Sequence, residues 1–208
     1  MLTNGIGRAS TRRLAMTLAL LVMAGCSSLS PAPSASSVAP PESLSLKLSP
    51  ASLGASISLQ QHLTVERNGR TDQLDAAVEI DAQQLNMVGL ALGQRVLTLH
   101  YDGVTLQSWR HPMLPSQVKA EDVLEDTQLT LWPLEAIRKA LPAGWKIQQE
   151  GLRRTLFWDE VPVEVIIYSN PSPWGGKIEL TNLRFHYRLT IESVGGEIAT
   201  STSGAAAP

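Results

Sequence analysis

Apolar and polar residues alternate along the first half of the chain, which is the pattern of half-buried β-strands. Asn68-Gly69 is a two-residue signal for a type I′ hairpin turn. Folding the chain about this turn places apolar residues of the two strands opposite each other on one face, in the pairs Leu63 with Leu74, Gln61 with Ala76, Leu59 with Val78 and Ile57 with Ile80. The pattern predicts an antiparallel hairpin with a defined register.

A second turn signal, Asp102-Gly103, predicts another hairpin with Tyr101 opposite Val104 and Leu99 opposite Leu106. Between these hairpins lies the segment 89–93, where Leu90 and Leu92 occupy a strand connection that is usually polar. Two interpretations stay open for this tip. It contacts a membrane or a partner, or the hairpin end is buried in the domain.

The periodicity becomes helical from Asp126 to Leu141, and Pro133 divides the segment because proline suits the first turn of a helix and breaks a longer one. Leu134, Ile137 and Leu141 fall on one helical face. We expect this segment to cover the concave face of the sheet.

Alternating strand patterns then resume in five segments: 146–150, 152–158, 161–168, 177–183 and 184–192. The total is about ten strands with one helical insertion. This favours a mainly β fold in which a strongly curved antiparallel sheet wraps around the insertion as a helical lid over a hydrophobic interior. The pattern leaves open whether that interior is a packed core or a cavity.

The N-terminal residues 1–25 have the layout of a secretory leader, with three arginines, an apolar run from Leu14 to Ala24 and small residues before Cys26. Met23-Ala24-Gly25-Cys26 resembles the bacterial lipobox, which implies acylation of Cys26 by diacylglyceryl and palmitate-like chains. Ser27 after it implies sorting to the outer membrane. Residues 26–43 read as an acylated cysteine and a Ser/Pro/Ala tether, 44–194 as the folded domain and 195–208 as a disordered tail.

Charge and cysteine content exclude several classes of function. The 208-residue chain has 17 Lys+Arg against 19 Asp+Glu, and loss of the leader with Arg8, Arg12 and Arg13 leaves a net charge of −5. Nucleic acid is therefore a poor partner. A single cysteine and four scattered histidines imply no intrachain disulfide and no metal site. With no catalytic or phosphate-binding motif, we expect neither an enzyme nor a cofactor.

Arg154 is unusual, because the turn at Asp159-Glu160 places it opposite Val165 on the inward face. It could tie the insertion to the sheet through an acid such as Asp126, bind a ligand head group, or lie outside after a register shift. Tryptophans that line a pocket are a further possibility beside ordinary packing. The candidate residues for a ligand cavity or its lid are Trp132, Leu134, Ile137, Leu141, Arg154 and Trp158.

Three segments carry a resemblance to a known family: 126–133, with its Gln-Leu-x-x-Trp-Pro core, 92–96 and 101–103. The chain from about Leu53 to Glu192 resembles a proteobacterial lipoprotein family known as domain of unknown function 3261. That family is similar to the lipoprotein-localisation proteins LolA and LolB, which implies an open antiparallel half-barrel around a cavity for acyl chains. In LolB-like proteins a loop exposes a leucine to the membrane, and Leu90 or Leu92 would have that role here. The family tends to be encoded in aryl-polyene pigment clusters, which implies a cargo such as an aryl-polyene lipid.

The leading hypothesis is an outer-membrane lipoprotein, facing the periplasm, that binds or transfers an acyl-chain ligand in a half-barrel cavity, with a periplasmic LolA-like carrier as a partner. The alternative is a structural or interaction lipoprotein whose packed core docks an envelope or biosynthetic partner. A solid interior would favour the alternative.

Overall fold

Ten antiparallel strands form one open sheet in the order β5-β4-β3-β2-β1-β10-β9-β8-β7-β6. The computed structural model describes residues 41 and 44–199. The strands are β1 Ser56–Arg67, β2 Arg70–Ile80, β3 Leu85–Ala91, β4 Gln94–Tyr101, β5 Leu106–Arg110, β6 Trp145–Glu150, β7 Arg153–Trp158, β8 Val161–Tyr168, β9 Gly176–Asn182 and β10 Tyr187–Ala199. The predicted class, an open antiparallel sheet with a helical insertion, is confirmed.

Two helices follow β5, α1 Ala120–Leu131 and α2 Leu134–Ala140. The predicted break at Pro133 is confirmed, since Trp132 before it has an extended backbone with ψ of 151°. The predicted start at Asp126 is wrong, because α1 begins six residues earlier. Lys119 at its N-cap makes no side-chain capping bond, so the usual signal for a helix start is missing from the sequence.

The sheet curls around α1. This helix approaches β5 at one edge of the sheet, and it also accepts a hydrogen bond from Arg154 of β7 near the other edge. Strands lie about 4.8 Å apart, so β5 and β7 would be separated by roughly 38 Å in a flat sheet, far more than the roughly 10–12 Å diameter of a helix. The predicted strong curvature around the helical insertion is therefore confirmed.

The strand register agrees with the sequence prediction for the first hairpin, where all four predicted pairs of β1 and β2 are present. The prediction for the second hairpin is wrong: Tyr101 pairs with Leu106, and Leu99 pairs with Ser108. The reason is the Asp102 carboxylate, which accepts hydrogen bonds from the backbone N–H groups of Val104 and Thr105 at 2.8 and 2.7 Å. This Asx turn lengthens the connection and shifts the register by two residues.

Arg154 pairs with Ile166 and not with Val165 as predicted. The β7–β8 ladder contains an irregularity between Leu156 and Phe157, which offsets every pair beyond it by one residue. The side chain is nevertheless buried, 4% exposed. The alternative in which a register shift places Arg154 outside the domain is therefore wrong.

An extended segment before β1, which we call the strap (residues 44–48), packs into the core. Leu44, Leu46 and Leu48 are each buried, and the intervening residues are exposed. A 3-10 helix, Pro50–Leu53, connects the strap to β1. The strap is thus a buried segment that forms no strand, and the domain boundary at residue 44 stays a prediction.

The far end of the domain differs from the prediction. Strand β10 extends to Ala199 and pairs with β1 as far as Ser56, so residues 195–199, predicted as part of a disordered tail, belong to the sheet. The leader, Cys26, the tether apart from residue 41, and residues 200–208 lie outside the described residues. Among those described, no helix combines the length and apolar character needed to cross a membrane.

A cleft between the first helix and the sheet as candidate functional site

A cleft of about 390 Å³ lies between α1 and the inner face of strands β1–β4 and β10. Its strand walls are predominantly apolar, with Leu63, Leu74, Ala76, Met87, Leu97 and Ile191 among the lining residues. These side chains lie on the inner face because alternate residues of each strand point to the same side of the sheet. The interior of the half-barrel is thus a packed core on one side of α1 and an open apolar cleft on the other.

The rim of the cleft is charged. Arg67 and Asp72 flank the β1–β2 turn, and Lys119 and Asp122 lie at the start of α1. Leu131, at the other end of α1, is 2% exposed and lines the apolar floor. Because the rise of an α-helix is about 1.5 Å per residue, Asp122 and Leu131 are separated by roughly 13 Å along the helix axis.

Asp126 is an acidic side chain in the middle of this apolar wall. Its Oδ2 accepts a hydrogen bond from the Tyr187 hydroxyl at 2.5 Å, and both residues line the cleft. Desolvation by the surrounding protein raises the pKa of Asp126 to about 7, although the Tyr187 bond acts in the opposite direction. The pKa of Tyr187 is raised well above its usual value, first by burial and then by the negative charge of Asp126.

Behind Asp126, away from the cleft, lies a network of buried charged groups. Glu125 and Arg184 form an ion pair in which both side chains are at most 5% exposed. Glu164 is fully buried and accepts a hydrogen bond from Asn182 at 2.8 Å. Burial raises the pKa of both Glu125 and Glu164, and neighbouring carboxylates raise the pKa of Glu164 further. The network connects α1, β8 and the end of β9.

None of the six residues predicted for a ligand cavity or lid lines this cleft. Trp132 and Ile137 are fully buried, and Leu134, Leu141 and Trp158 are partly buried against the same core. Helix α2 contacts β6, at the edge of the sheet farthest from β5. The helical wall of the cleft comes from α1.

Arg154 fastens α1 to the sheet. Its guanidinium donates to the carbonyl oxygens of Leu129 and Trp132, at 2.5 and 3.1 Å, and to the side-chain oxygen of Gln149. The predicted tie between the insertion and the sheet is present, but the acceptors are carbonyl oxygens at the C-terminal end of α1 and not Asp126. A cation suits this position because free carbonyls and the negative end of the helix dipole meet there.

The Gln-Leu-x-x-Trp-Pro motif also forms structural contacts. Gln128 bonds to the backbone of Leu48, and the Trp132 indole Nε1 donates to the Ser52 hydroxyl at 3.0 Å. Both contacts hold the segment that precedes β1 against α1. The motif therefore fixes the position of α1, which forms one wall of the cleft.

The β3–β4 tip lies beside the cleft and is exposed. Leu92 is 96% exposed and Leu90 is 37% exposed, whereas Gly89, one residue earlier, lines the cleft. Leu92 and Gly93 both have positive φ, 52° and 73°, as the two central residues of a type I′ turn require. Burial of the hairpin end, one of the two interpretations, is wrong for Leu92.

The sequence pattern indicates Asp126 only as a partner of Arg154 and does not place it in a cleft. One signal was available: Glu125 and Asp126 adjoin a helical apolar run, so at least one of the two faces the interior. Among the described residues, no group of three or more His, Cys, Asp or Glu side chains could hold a metal ion.

Comparison with known proteins identifies one family whose model matches this chain. Residues 58–195 match the family model described as protein of unknown function (DUF3261). A search of curated proteins gives no match.

Three solved structures are similar in shape at low sequence identity. A LolA superfamily protein from Nitrosomonas europaea has a TM-score of 0.43 and 8% identity, with 74% of this chain and 94% of that chain covered. A proposed outer membrane lipoprotein-sorting protein domain from Vibrio parahaemolyticus has a TM-score of 0.38 and 8% identity, covering 72% and 87%. A DUF1329 family protein from Desulfovibrio piger has a TM-score of 0.35 and 11% identity, covering 71% and 87%. All three TM-scores are below 0.5.

Proposed function

The chain belongs to the family described as protein of unknown function (DUF3261), and we propose that it is a lipid-anchored envelope protein that binds the apolar chain of an amphiphile in the cleft between α1 and the sheet. The observation that carries the proposal is the cleft itself, whose walls are predominantly apolar. Its polar lining consists of the charged rim, the Asp126 carboxyl group, and the side chains of Gln61, Gln117, Thr127, Thr130 and Tyr187. Ligand pockets in proteins span about 300–1,000 Å³, and this cleft falls in that range.

The energetics of the cleft favour an alkyl or polyene chain. Each CH₂ group moved from water to an apolar wall gains about 0.8 kcal/mol. Buried residues such as Ala76, Met87 and Leu131 surround the inner part of the cleft. A chain that enters past the rim would therefore be held along its length without any directional bond.

The proposal also includes the location of the protein in the cell envelope and its partners there. Acylation of Cys26 would hold the domain at the outer membrane facing the periplasm, with residues 27–43 as a tether. The exposed tip with Leu90 and Leu92 would touch the bilayer beside the cleft, so that a ligand could pass between membrane and protein. An aryl-polyene lipid as the cargo and a LolA-like carrier as the donor rest on the family resemblance. No catalytic step is proposed.

The alternative, a packed lipoprotein that docks a partner, is supported by the dense core on the strap side of α1. It gives the cleft no role, however, so we favour ligand binding.

Extraction of the purified protein identifies the ligand. A Cys26→Ser chain would be isolated without detergent, extracted into organic solvent and analysed by mass spectrometry. Its matched control carries Val123→Trp, which places a large indole in the cleft from α1. We expect one class of amphiphile, near equimolar with the protein, that is depleted in the control. Equal lipid content in the two samples would contradict the proposal.

A further inference from the structure

Asp126 divides the cleft into two chemically different parts. The charged rim lies on one side of Asp126, toward the start of α1. The apolar floor, with the buried residues Leu131 and Met87, lies on the other side, toward the end of α1. On α1, Asp126 lies four residues, or roughly 6 Å along the helix axis, from Asp122 in the direction of Leu131. A chain that fills the apolar floor would thus place its polar head beside Asp126.

The carboxyl group of Asp126 has one oxygen available to such a head. Its single hydrogen bond within the described part of the chain is the one that Oδ2 accepts from Tyr187. Two neighbouring hydroxyls in the cleft are committed elsewhere, since Thr127 donates to the Val123 carbonyl and Thr130 donates to the Asp126 carbonyl, each at 2.7 Å. An ionised carboxylate only accepts hydrogen bonds. Within the described residues, Oδ1 therefore has no hydrogen-bond donor, and the head of a ligand could supply one.

The charges around Asp126 are mainly negative. The cation that acts on the pKa of Asp126, the Arg184 guanidinium, is paired with Glu125. The charged and titratable groups that face Asp126 or the route to it are Asp122 and Glu125 on α1, Glu164 on β8, Arg184 before β10, Tyr187 on β10, and Arg67, Asp72 and Lys119 at the rim. A second anion placed here would meet like charges in a poorly solvated site, which is unfavourable.

We propose that Asp126 and Tyr187 form the head-group site of the cleft and select single-chain amphiphiles whose heads donate hydrogen bonds, an ammonium first and a hydroxyl second, over those with a carboxylate. This inference rests on the proposed function, because it concerns the head of the same ligand. Tyr187 fixes Oδ2, which leaves Oδ1 oriented for the ligand. A charge-assisted bond from an ammonium is stronger than one from a neutral hydroxyl.

The raised pKa of Asp126, about 7, adds a pH dependence. Above this pH the group is ionised and attracts an ammonium. Below it the group is neutral, so its preference for an ammonium over a carboxylate becomes smaller.

Competition binding tests the selectivity. The Cys26→Ser chain would be loaded with N-phenyl-1-naphthylamine, a neutral apolar fluorophore, and displaced with dodecylammonium, dodecanol or dodecanoate below their micellar concentrations. At about pH 8 the amine is protonated and the acid ionised. We expect dodecylammonium to displace the fluorophore at roughly tenfold lower concentration than dodecanoate, with dodecanol between them. We expect the advantage of dodecylammonium over dodecanol to fall when the pH is lowered to about 5.5, where Asp126 is neutral and neither of these two ligands changes its charge.

The variant Asp126→Asn keeps the shape of the side chain and removes its charge. We expect it to reduce the ratio to about twofold, with each displacement measured relative to the affinity of this variant itself for the fluorophore. Asp159→Asn, the same change in the exposed β7–β8 turn, serves as the control and should leave the ratio unchanged.

The outcomes separate this inference from the proposed function. Fluorophore binding together with equal displacement by amine and acid would overturn the head-group assignment alone, as would a preference that Asp126→Asn leaves intact. Failure of the fluorophore to bind at all would overturn the proposed function and this inference with it. The ratio of dodecanol to dodecylammonium at the two pH values needs no variant, and neither ligand titrates in this range, so an unchanged ratio would overturn the head-group assignment even where Asp126→Asn does not fold.

Discussion

The side-chain amide of Gln128 bonds both polar groups of a single residue, Leu48. Its Nε2 donates to the Leu48 carbonyl at 3.1 Å, and its Oε1 accepts from the Leu48 N–H at 3.3 Å. The amide thus satisfies the donor and the acceptor of a buried peptide segment that belongs to no strand. One turn earlier on α1, Glu125 accepts from the Leu44 N–H at 3.2 Å. The strap is bound to α1 through its backbone and to the core through its leucines.

Replacement of Gln128 by alanine should destabilise the domain by about 1–3 kcal/mol, because two buried backbone groups of Leu48 would lose their partners. Urea unfolding measures this free energy. Gln107→Ala, on the exposed face of β5, is the matched control and should change it by less than about 0.5 kcal/mol. Equal effects of the two changes would mean that the strap does not depend on Gln128.

Arg154→Lys should destabilise the domain by about 2 kcal/mol or more, although it conserves the charge. An ammonium cannot reproduce the planar fork that reaches the Leu129 and Trp132 carbonyls together with Gln149. Hydrogen bonds to a charged group contribute about 1.5–3 kcal/mol each. Arg153→Lys, at the exposed neighbouring position, controls for the substitution and should be near neutral. A tolerated Arg154→Lys would mean that the guanidinium is not what fastens α1.

Asp126 should make the protein less stable as the pH rises. The pKa of Asp126 is about 3.8 in the unfolded chain and about 7 in the folded protein. The folded state therefore binds this proton more tightly. The resulting stability is present below about pH 4 and is lost as the pH rises through about 7. Asp126→Asn lacks this ionisation. Its free energy of unfolding relative to the unsubstituted protein should therefore increase from pH 5 to pH 8, as urea unfolding at the two values would show. For Asp159→Asn, which is exposed, the difference should stay constant, and the same constancy in Asp126→Asn would contradict the shifted pKa.

Leu92→Glu should leave the free energy of unfolding within about 0.5 kcal/mol, since the side chain is 96% exposed. It should nevertheless reduce flotation of the Cys26→Ser chain with phosphatidylethanolamine and phosphatidylglycerol vesicles, because a leucine buried in the bilayer contributes about 1.5–3 kcal/mol. Val104→Glu places the same change in the β4–β5 turn at the opposite end of the strands, where the valine is 78% exposed. If both variants float alike, the tip has no special role at the membrane.

Local chemistry explains which parts of the fold the sequence predicts. The β1–β2 register follows from strict alternation about Asn68-Gly69, since a slip of one residue would expose every apolar side chain. Asp102-Gly103 is a turn signal of the same kind. However, the Asp102 carboxylate accepts hydrogen bonds from two backbone N–H groups, and this makes the connection between the strands longer. That choice between two turns depends on geometry that a single sequence does not specify.

The site depends on contacts between segments distant in the chain, which explains why the predicted cavity residues lie elsewhere. Asp126 meets Tyr187 across 61 positions, and Gln128 meets Leu48 across 80. Periodicity alone assigns Ile137 to an inner face correctly. It cannot tell which side of a helix faces a packed core and which faces an open cleft.

The central claim is that an apolar chain occupies the cleft beside α1, and saturation binding of N-phenyl-1-naphthylamine to the Cys26→Ser chain tests it most directly. We predict one saturable site per chain that Val123→Trp abolishes, because Val123 lines the cleft, and that Val104→Trp leaves intact, because Val104 lies outside it. Circular dichroism would establish that both variants are folded. Binding that persists unchanged in folded Val123→Trp, or that is absent from the unsubstituted cleft, would contradict the claim.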